Sequence, residues 1–600
     1  MKLFLCEKPS QGRDIAKVLG ATQRGDGCLT SRDITVTWGF GHLLETESPE
    51  GYDEKYKKWT LTDLPIIPEQ WKLVVKPATK KQFTIIQKLL KKASSVVIAT
   101  DADREGEMIA REILEVCKFR GPVSRLWLSA LDEASIRKAL SALKPGEETE
   151  SLYQAGLGRA RADWLCGMNL TRLYTLKGRK PGQQSGVFSV GRVQTPTLRL
   201  IVDRDREIAN FVPRNYWTLT VQLTGQNMSF QARWLAPEAV CDEEGRCINE
   251  SALRQAAMTM SHIRQAHVIS TETKRVKESA PLPFDLGTLQ QVCSKKWGLG
   301  AQQVLDIAQS LYETHKATTY PRTDCGYLPA SMLVEIPQVF SAMQTTHPAL
   351  KPLLAQCVTQ QKSRCWNDEK ITAHHAIIPT VQPADINKMS DDERRVYDLI
   401  CRHYLAQFLP LHEVDKTQIR LRCAEHTLVA NGNVVVVPGW KTAFGDDEQS
   451  SADNQSLPRL AENVPCPVLG CNIKANKTRP PEHYTEGTLI AAMKNASRLV
   501  TDERLKQRLK ESAGLGTEAT RAGIIETLLK RGYIRKEKRH LVATDSATTL
   551  MAMLPDIVKD PGMTALWEQA LDDIAVGKLP LAVFLQKQSM WISTMVAQAR

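Results

Sequence analysis

A phenol and a guanidinium two residues apart, Tyr320 and Arg322, stand in the run Thr318-Thr319-Tyr320-Pro321-Arg322-Thr323-Asp324. Pro321 fixes φ, removes a donor and biases the residue before it toward extended backbone. Both side chains can therefore converge on one anionic group instead of lining a helix. A phenolic oxygen with a pKa near ~10 is a usable nucleophile toward a phosphodiester. Its phosphoester stays reactive enough for a sugar hydroxyl to expel it, so the cut is reversible and needs no nucleotide. A tyrosine beside a proline is more often a packing residue, so the reading depends on what else the chain carries.

A second constellation is acidic: Thr100-Asp101-Ala102-Asp103-Arg104-Glu105-Gly106-Glu107 follows the apolar run Ser95 to Ala99. Alternate positions put Asp101, Asp103 and Glu105 on one side of an extended turn at the carboxyl end of a buried strand, where open α/β sheets bind ligands. Carboxylates that close repel unless a cation is shared, and hard oxygen donors favour Mg²⁺. The bland alternative is a solvated loop whose acids cap the next helix. Glu7 ends the other apolar strand, Lys2 to Cys6, and would lie beside this loop if the two strands are neighbours. Near other acids its pKa should be raised, which suits a proton donor to a leaving sugar oxygen. Lys8 beside it is a candidate phosphate holder.

These residues need elements to carry them. At 600 residues the chain exceeds one core, and three to five domains are expected. Hydrophobic content of 42% and charged content of 24% suit a globular protein. The first 150 residues alternate strand and helix, which predicts an α/β domain with a mostly parallel sheet. There Ser10 is a candidate N-cap for a helix over 11–19, and Ile34 to Phe40 alternate as a half-buried strand. Residues 151–215 read as helical and basic. Residues 216–278 and 409–479 read as two β-rich stretches forming one domain, with a helical block over 279–408 inserted between them and carrying Tyr320. Residues 480–600 are again helical.

The net charge of +12 and pI near 9.0 favour a polyanionic partner, nucleic acid above a membrane surface. No run of eighteen apolar residues occurs, and Glu7 comes too early for a signal peptide, so a cytoplasmic protein is expected. The 14 cysteines are scattered without a Cys-x-x-Cys pair, Cys466 and Cys471 coming nearest, which argues against zinc and disulfides. No Gly-x-x-x-x-Gly-Lys-[Ser/Thr] loop occurs, which argues against an ATP-driven motor. In the helical stretch around Gly158 to Trp164, Arg159 and Asp163 stand four apart and can pair. The other cations, with Arg172, Arg179 and Trp164, read as a basic and aromatic surface for single-stranded DNA. Trp59, in Lys57-Lys58-Trp59, is a similar stacking candidate.

Glu7-Lys8-Pro9-Ser10, Asp101-x-Asp103-x-Glu105, Ser189-Val190-Gly191-Arg192-Val193-Gln194, Thr319 to Asp324 and Ala373-His374-His375-Ala376-Ile377 occur in one order that resembles the type IA DNA topoisomerases. Ser279 to Phe284 and Gly514 to Thr520 are more similar to the bacterial topoisomerase III branch. The resemblance spans the chain from Lys2 to about Leu579. It implies a Toprim α/β domain joined to helical and β-rich domains in a toroidal core. It implies Mg²⁺ held by Glu7, Asp101, Asp103 and Glu105, and Tyr320 forming a 5′-phosphotyrosyl bond. Arg322 and Lys8 would brace the phosphate, His374 would act near it, and Ser189, Val190, Gly191, Arg192, Val193 and Gln194 would contact DNA. Residues 497–512, with Arg498, Arg504, Lys506, Arg508 and Lys510, match the position of a loop tied to decatenation. The expected substrate is single-stranded and negatively supercoiled DNA, handled by a monomer that cooperates with a helicase or single-strand binding protein. The rival readings are a Toprim-type nuclease or primase, which would not need Tyr320, and a noncatalytic single-strand DNA-binding protein.

Overall fold

A computed structural model describes residues 1–600 apart from 179–185, 372–373, 446–454, 501–502, 504–505, 507–513 and 600. Four strands near the N-terminus run parallel. Lys2–Cys6 pairs with Ile34–Trp38 on one side and Ser95–Ala99 on the other, and Ser95–Ala99 pairs onward with Val123–Arg125. Shorter antiparallel strands extend both edges to give seven in all. The register places Cys6 opposite Ala99, so the chain leaves both strands at one height and brings Glu7 beside Thr100 and Asp101.

Side chains alternate across a strand, and here both faces are covered. Phe4, Cys6, Val97 and Ala99 pack on Ile15 and Ile136. Leu3, Leu5, Val96 and Ile98 pack on Phe83, Ile86 and Ile113. Two local expectations are corrected. The first helix spans Pro9–Val18, with Pro9 in its first turn and Lys8, not Ser10, at the N-cap without a side-chain bond; proline's fixed φ suits that position. The strand Ile34–Trp38 is buried on both sides, since Thr35 and Thr37 are buried and Thr37 Oγ1 donates to Gly27 O at 2.9 Å.

Six longer strands close a barrel in the spatial order Asn215–Gly225, Met228–Trp234, His426–Val437, His412–Cys423, Gln265–Glu278 and Pro465–Lys477. Leu219, Val221, Phe230, Val268, Ile419 and Leu428 fill its interior. The helices Leu286–Trp297, Ala301–Glu313, Ile336–Thr346 and Asp391–Leu405 form a separate core. That lobe leaves the barrel at the end of Gln265–Glu278 and returns on His412–Cys423. Those two strands are paired, with Glu278 opposite His412, so the lobe hangs on adjacent strand ends.

The 29-residue helix Glu150–Gly178 packs with Gln194–Ala209, Glu486–Lys494, Glu518–Lys530 and Leu581–Ala599 in a further core. Within the C-terminal helical stretch one hairpin intervenes, Ile534–Glu537 with His540–Ala543. Among the described residues no helix is long and apolar enough to cross a membrane.

Candidate active site

The acidic loop is shaped by a buried guanidinium that the sequence did not flag. Arg125 Nη1 donates to the carbonyls of Ile98 (3.2 Å), Thr100 (2.9 Å) and Leu126 (2.8 Å), Nη2 to Asp101 O (2.6 Å), and Nε to Glu107 Oε1 (2.5 Å). Gly106 is required by close approach: a Cβ there would sit 2.1 Å from Asp101 O. Asp103 then caps the helix Arg104–Val116 by accepting from Gly106 N–H at 2.7 Å.

Three carboxylates meet at this sheet edge. Asp101 N–H donates to Glu7 Oε2 at 3.2 Å. Gln11 spans the pair, accepting from Glu7 N–H at 2.9 Å and donating to Asp101 Oδ1 at 3.0 Å. Asp101 Oδ2 is buried without a hydrogen-bond partner among the described residues. Glu105 departs from the expected cluster. The helix starts at Arg104, so the alternation that would align it with Asp101 and Asp103 ends there. Its side chain is 46% exposed, with His42 Nε2 at 3.7 Å.

Burial, then the charges of Asp101 and Asp103, hold the Glu7 carboxyl well above the usual range. Burial raises Asp101 to about 6, with Lys8 pulling down and Asp103 pushing up. Burial also works on Asp103, but hydrogen bonds from Tyr320 and Gly106 and the charge of Arg322 draw it below its ordinary value. A buried donor set of hard oxygens, with one orphaned oxygen and two acids reluctant to ionise, fits a divalent cation. Among the described residues the ligand atoms are not yet gathered at one point. The Tyr320 hydroxyl takes Asp103 Oδ2, and Gln11 takes Asp101 Oδ1.

A pH prediction follows. Asp101 binds its proton more tightly in the folded state, so its contribution to stability is complete below the unfolded carboxylate range and is lost as pH rises through about 6. Metal-free protein should lose roughly 3 kcal/mol from this group between about pH 4 and pH 7, with Glu7 acting in the same direction. A divalent cation should restore stability at neutral pH. Thermal melts across pH, with and without the cation, measure both; a flat profile that no cation shifts contradicts the site.

Tyr320 reaches this edge from the inserted lobe. The segment before it is pinned to residues 376–378: Thr319 N–H donates to Ile378 O at 2.9 Å, and Thr319 Oγ1 donates to Ala376 O at 3.1 Å. Tyr320 N–H donates to Ser129 O at 2.9 Å, and its hydroxyl donates to Asp103 Oδ2 at 2.6 Å. The ring is 2% exposed and tilts against His374, with centroids 4.9 Å apart. Burial and the charges of Asp103 and Asp101 keep its phenol protonated, well above the ordinary range.

Burial disfavours the Arg322 charge, yet Tyr320, Asp103, Asp101 and Glu105 hold its pKa above the ordinary value, and its Nε is buried without a partner among the described residues. Lys8 Nζ lies 2.6 Å from Glu313 Oε1, 3.7 Å from Asp101 Oδ2 and 4.0 Å from Glu7 Oε1. His374 stacks on Trp127 (5.7 Å, 17°), and burial lowers its pKa to about 4 against the pull of Asp103, so it is neutral near pH 7. Ala373 of the same motif lies outside the described residues.

Sequence reasoning missed Glu313, Arg125 and Tyr312. Each is a single residue on a regular element with no motif around it.

The candidate DNA surface divides. Trp164 is 7% exposed, packs edge-on against Trp71 and Tyr52, and donates Nε1–H to Glu47 O at 3.0 Å. It is a core residue, which corrects the stacking reading. Trp164→Ala should cost about 3–5 kcal/mol in denaturant unfolding; an unchanged midpoint would contradict the burial. The pairing of Arg159 with Asp163 is corrected too. Asp163 accepts from Arg192 Nε at 2.8 Å, while Arg159 reaches Thr517 Oγ1 at 3.3 Å and Glu568 at 3.5 Å. Arg192 itself is buried on Glu568 at 2.7 Å and cannot face DNA in this state.

Val190 and Val193 are buried, while Ser189, Gly191 and Gln194 are half-buried. Arg531, also missed, donates to Gln194 Oε1 at 2.6 Å and to Ser189 Oγ. Arg172 is buried, donates to Tyr56 O at 2.8 Å and lies over the half-buried Trp59 ring at 5.1 Å. Arg179, Arg504, Arg508 and Lys510 lie outside the described residues. Arg498 is exposed, and Lys506 pairs with Glu503 at 3.3 Å.

Comparison with known proteins gives a consistent picture. Residues 147–586 match a family model described as DNA topoisomerase, and residues 2–131 match the Toprim domain, a metal-binding domain class. The chain is 40% identical to DNA topoisomerase 3 of Vibrio cholerae over 616 residues, covering 100% of this chain and 94% of that protein. It is 37% identical to DNA topoisomerase 3 of Bacillus subtilis, covering 100% and 82%. A solved structure of full-length topoisomerase I from Thermotoga maritima superposes with a TM-score of 0.72 at 24% identity, covering 99% of this chain and 90% of that one, which shows the fold.

Proposed function

Because the chain belongs to the type IA DNA topoisomerases, we propose that Tyr320 is the nucleophile with which it cuts one DNA strand and rejoins it after another has passed. The activity is that of a topoisomerase III-like enzyme, an ATP-independent isomerase of DNA. The observation that carries the assignment of residues is the 2.6 Å hydrogen bond from the Tyr320 hydroxyl to Asp103 Oδ2. It joins the inserted lobe to the carboxylate edge of the Toprim sheet.

In this reading the Tyr320 oxygen attacks the scissile phosphorus as its proton passes to Asp103. The 3′-oxygen leaves and takes the proton held by Glu7, whose raised pKa keeps it protonated until then. Arg322 and Lys8 bear on the phosphate oxygens, Lys8 exchanging Glu313 for the stronger anion. Neutral His374, itself stacked on Trp127, holds the nucleophile ring by a tilted ring contact and offers a hydrogen bond without competing for the phosphate as a charge. Asp101 and Asp103, joined by Glu7 once it has given up its proton, would hold Mg²⁺, which supplies positive charge against the anionic phosphate. Rejoining reverses each transfer, and the phosphotyrosyl ester stores the bond energy.

Strand passage requires the lobe to lift. The paired ends at Glu278 and His412 are where it would turn. Opening would break Tyr320–Asp103, Tyr320 N–H to Ser129 O, Lys8–Glu313, Lys316–Asp14 and Lys138–Glu335. Single-stranded and negatively supercoiled DNA are the proposed substrates, in the cytoplasm at the nucleoid. A helicase or single-strand binding protein would supply single strands to a monomer.

Relaxation of a negatively supercoiled plasmid tests the function. With Mg²⁺ and no nucleotide, single topoisomers should change linking number in steps of one. Nicked or linear product without ligated intermediates would favour the nuclease reading, and retarded but unaltered plasmid the binding protein.

A further inference from the structure

Tyr312 ends in a hydroxyl for which the closed protein has no use. It lies near the end of the helix Ala301–Glu313, one residue before the Glu313 that holds Lys8. Its side chain is 1% exposed, and among the described residues its hydroxyl has no hydrogen-bond partner. The ring meets Tyr320 edge-on, with centroids 5.5 Å apart at 79°. Both rings enter the apolar cluster formed by Phe4, Cys6, Val97 and Ala99 under the carboxylate edge. A buried hydroxyl left unpaired costs about 1–3 kcal/mol, and phenylalanine would fill the same space without that cost. A second orphan, Asp101 Oδ2, lies at the same edge.

The geometry points to Tyr312 as a further catalytic residue, whose hydroxyl donates a hydrogen bond to an oxygen of the scissile phosphodiester when DNA occupies the site. The hydroxyl keeps its proton, so an acceptor brought by the guest would satisfy it. Burial and the charges of Asp101, Glu313, Glu7 and Asp103 hold its proton far above the ordinary phenol range. The acceptor must also lie where Tyr320 attacks, with Lys8 and Arg322 close by, and the reacting phosphate group meets that description. A donor fixed in a dry site before the reaction stabilises charge that develops on that oxygen. The proposal rests on the strand-cleaving reading above.

Tyr312→Phe keeps the ring and removes the one atom in question. Its thermal midpoint should equal or exceed that of the wild type, and it should still bind single-stranded DNA, weakened by no more than about tenfold, the scale of one hydrogen bond. Adduct formation and rejoining should slow by roughly 10- to 100-fold, the scale of losing one such donor. Sulfur substitution locates the oxygen. If a non-bridging oxygen accepts, one phosphorothioate stereoisomer should slow the wild type and barely affect the variant. If the 3′-oxygen accepts, a bridging 3′-sulfur should restore the variant's cleavage rate. Either pattern supports the proposal. A variant that cleaves and rejoins within about twofold of the wild type, with equal sulfur effects in both proteins, overturns it. If the wild type forms no adduct, the strand-cleaving reading fails instead.

Discussion

Tyr320→Phe is expected to abolish the covalent DNA adduct and to lower plasmid relaxation by roughly 10⁴-fold or more, the scale of removing a nucleophile from a preorganised site. The substitution is conservative everywhere except at the oxygen. The ring keeps its tilt against His374 and its edge contact with Tyr312. What is lost is the hydroxyl that donates to Asp103. Asp103 Oδ2 is then left buried and unpaired, which should cost about 1–3 kcal/mol in metal-free protein. Divalent cation should offset part of that cost by taking the freed oxygen. Single-strand affinity, measured by gel retardation, should hold. A variant that still changes linking number would remove Tyr320 from the reaction.

Asp103→Asn is expected to slow cleavage and rejoining by about 10²–10³-fold while leaving the fold intact. Asparagine is as good an N-cap as aspartate, so Gly106 N–H keeps its acceptor and the helix Arg104–Val116 its start. With the amide oxygen at the cap, the amide –NH₂ replaces Oδ2 and donates to the Tyr320 oxygen instead. The change therefore removes the charge, the proton acceptor for the phenol and one oxygen donor of the cation site, while the fold keeps its cap. Without cation the variant should melt no lower than the wild type, because relief of repulsion among Glu7, Asp101 and Asp103 works in its favour. The stabilisation that Mg²⁺ gives the wild type should shrink. Asp103→Ala should lose a further ~1 kcal/mol with the cap. Stopped-time adduct assays with melts over a Mg²⁺ series measure each part. An Asn variant with wild-type rates and wild-type Mg²⁺ response would contradict the assigned charge.

What could be read in the sequence was what lies contiguously in it. The two apolar strands that run into Glu7 and the Asp101 loop announce a sheet edge, and strand–helix alternation predicts that they run parallel; that they are neighbours, with Cys6 opposite Ala99, is fixed only in three dimensions. The run around Tyr320 carries its own geometry through Pro321. Residues that act alone left no trace. Arg125 organises the loop from a strand 24 residues away from Asp101, and Glu313 meets Lys8 across 305 residues. Charge and aromaticity on a helix cannot distinguish a wet face from a buried one. Trp164 and Arg172 therefore read as DNA contacts but are packed, Trp164 against Trp71 and Arg172 against Tyr56; Arg192, which the motif resemblance assigned to DNA, is packed against Asp163 and Glu568. Glu105 read as a ligand because alternation was carried past residue 103, where the backbone turns helical. The barrel strands Gln265–Glu278 and Pro465–Lys477 gave weak signals because many of their outward positions are polar or charged.

The most direct test of the account is the identity of the bond between protein and DNA. Wild-type protein is mixed with Mg²⁺ and single-stranded DNA labelled downstream of the cut, denatured within seconds and digested, and the labelled peptide is sequenced. The account predicts one labelled peptide containing Tyr320 joined to a 5′-phosphate, with a free 3′-hydroxyl on the other fragment. Label on another residue, or cut DNA carrying no peptide, would contradict it.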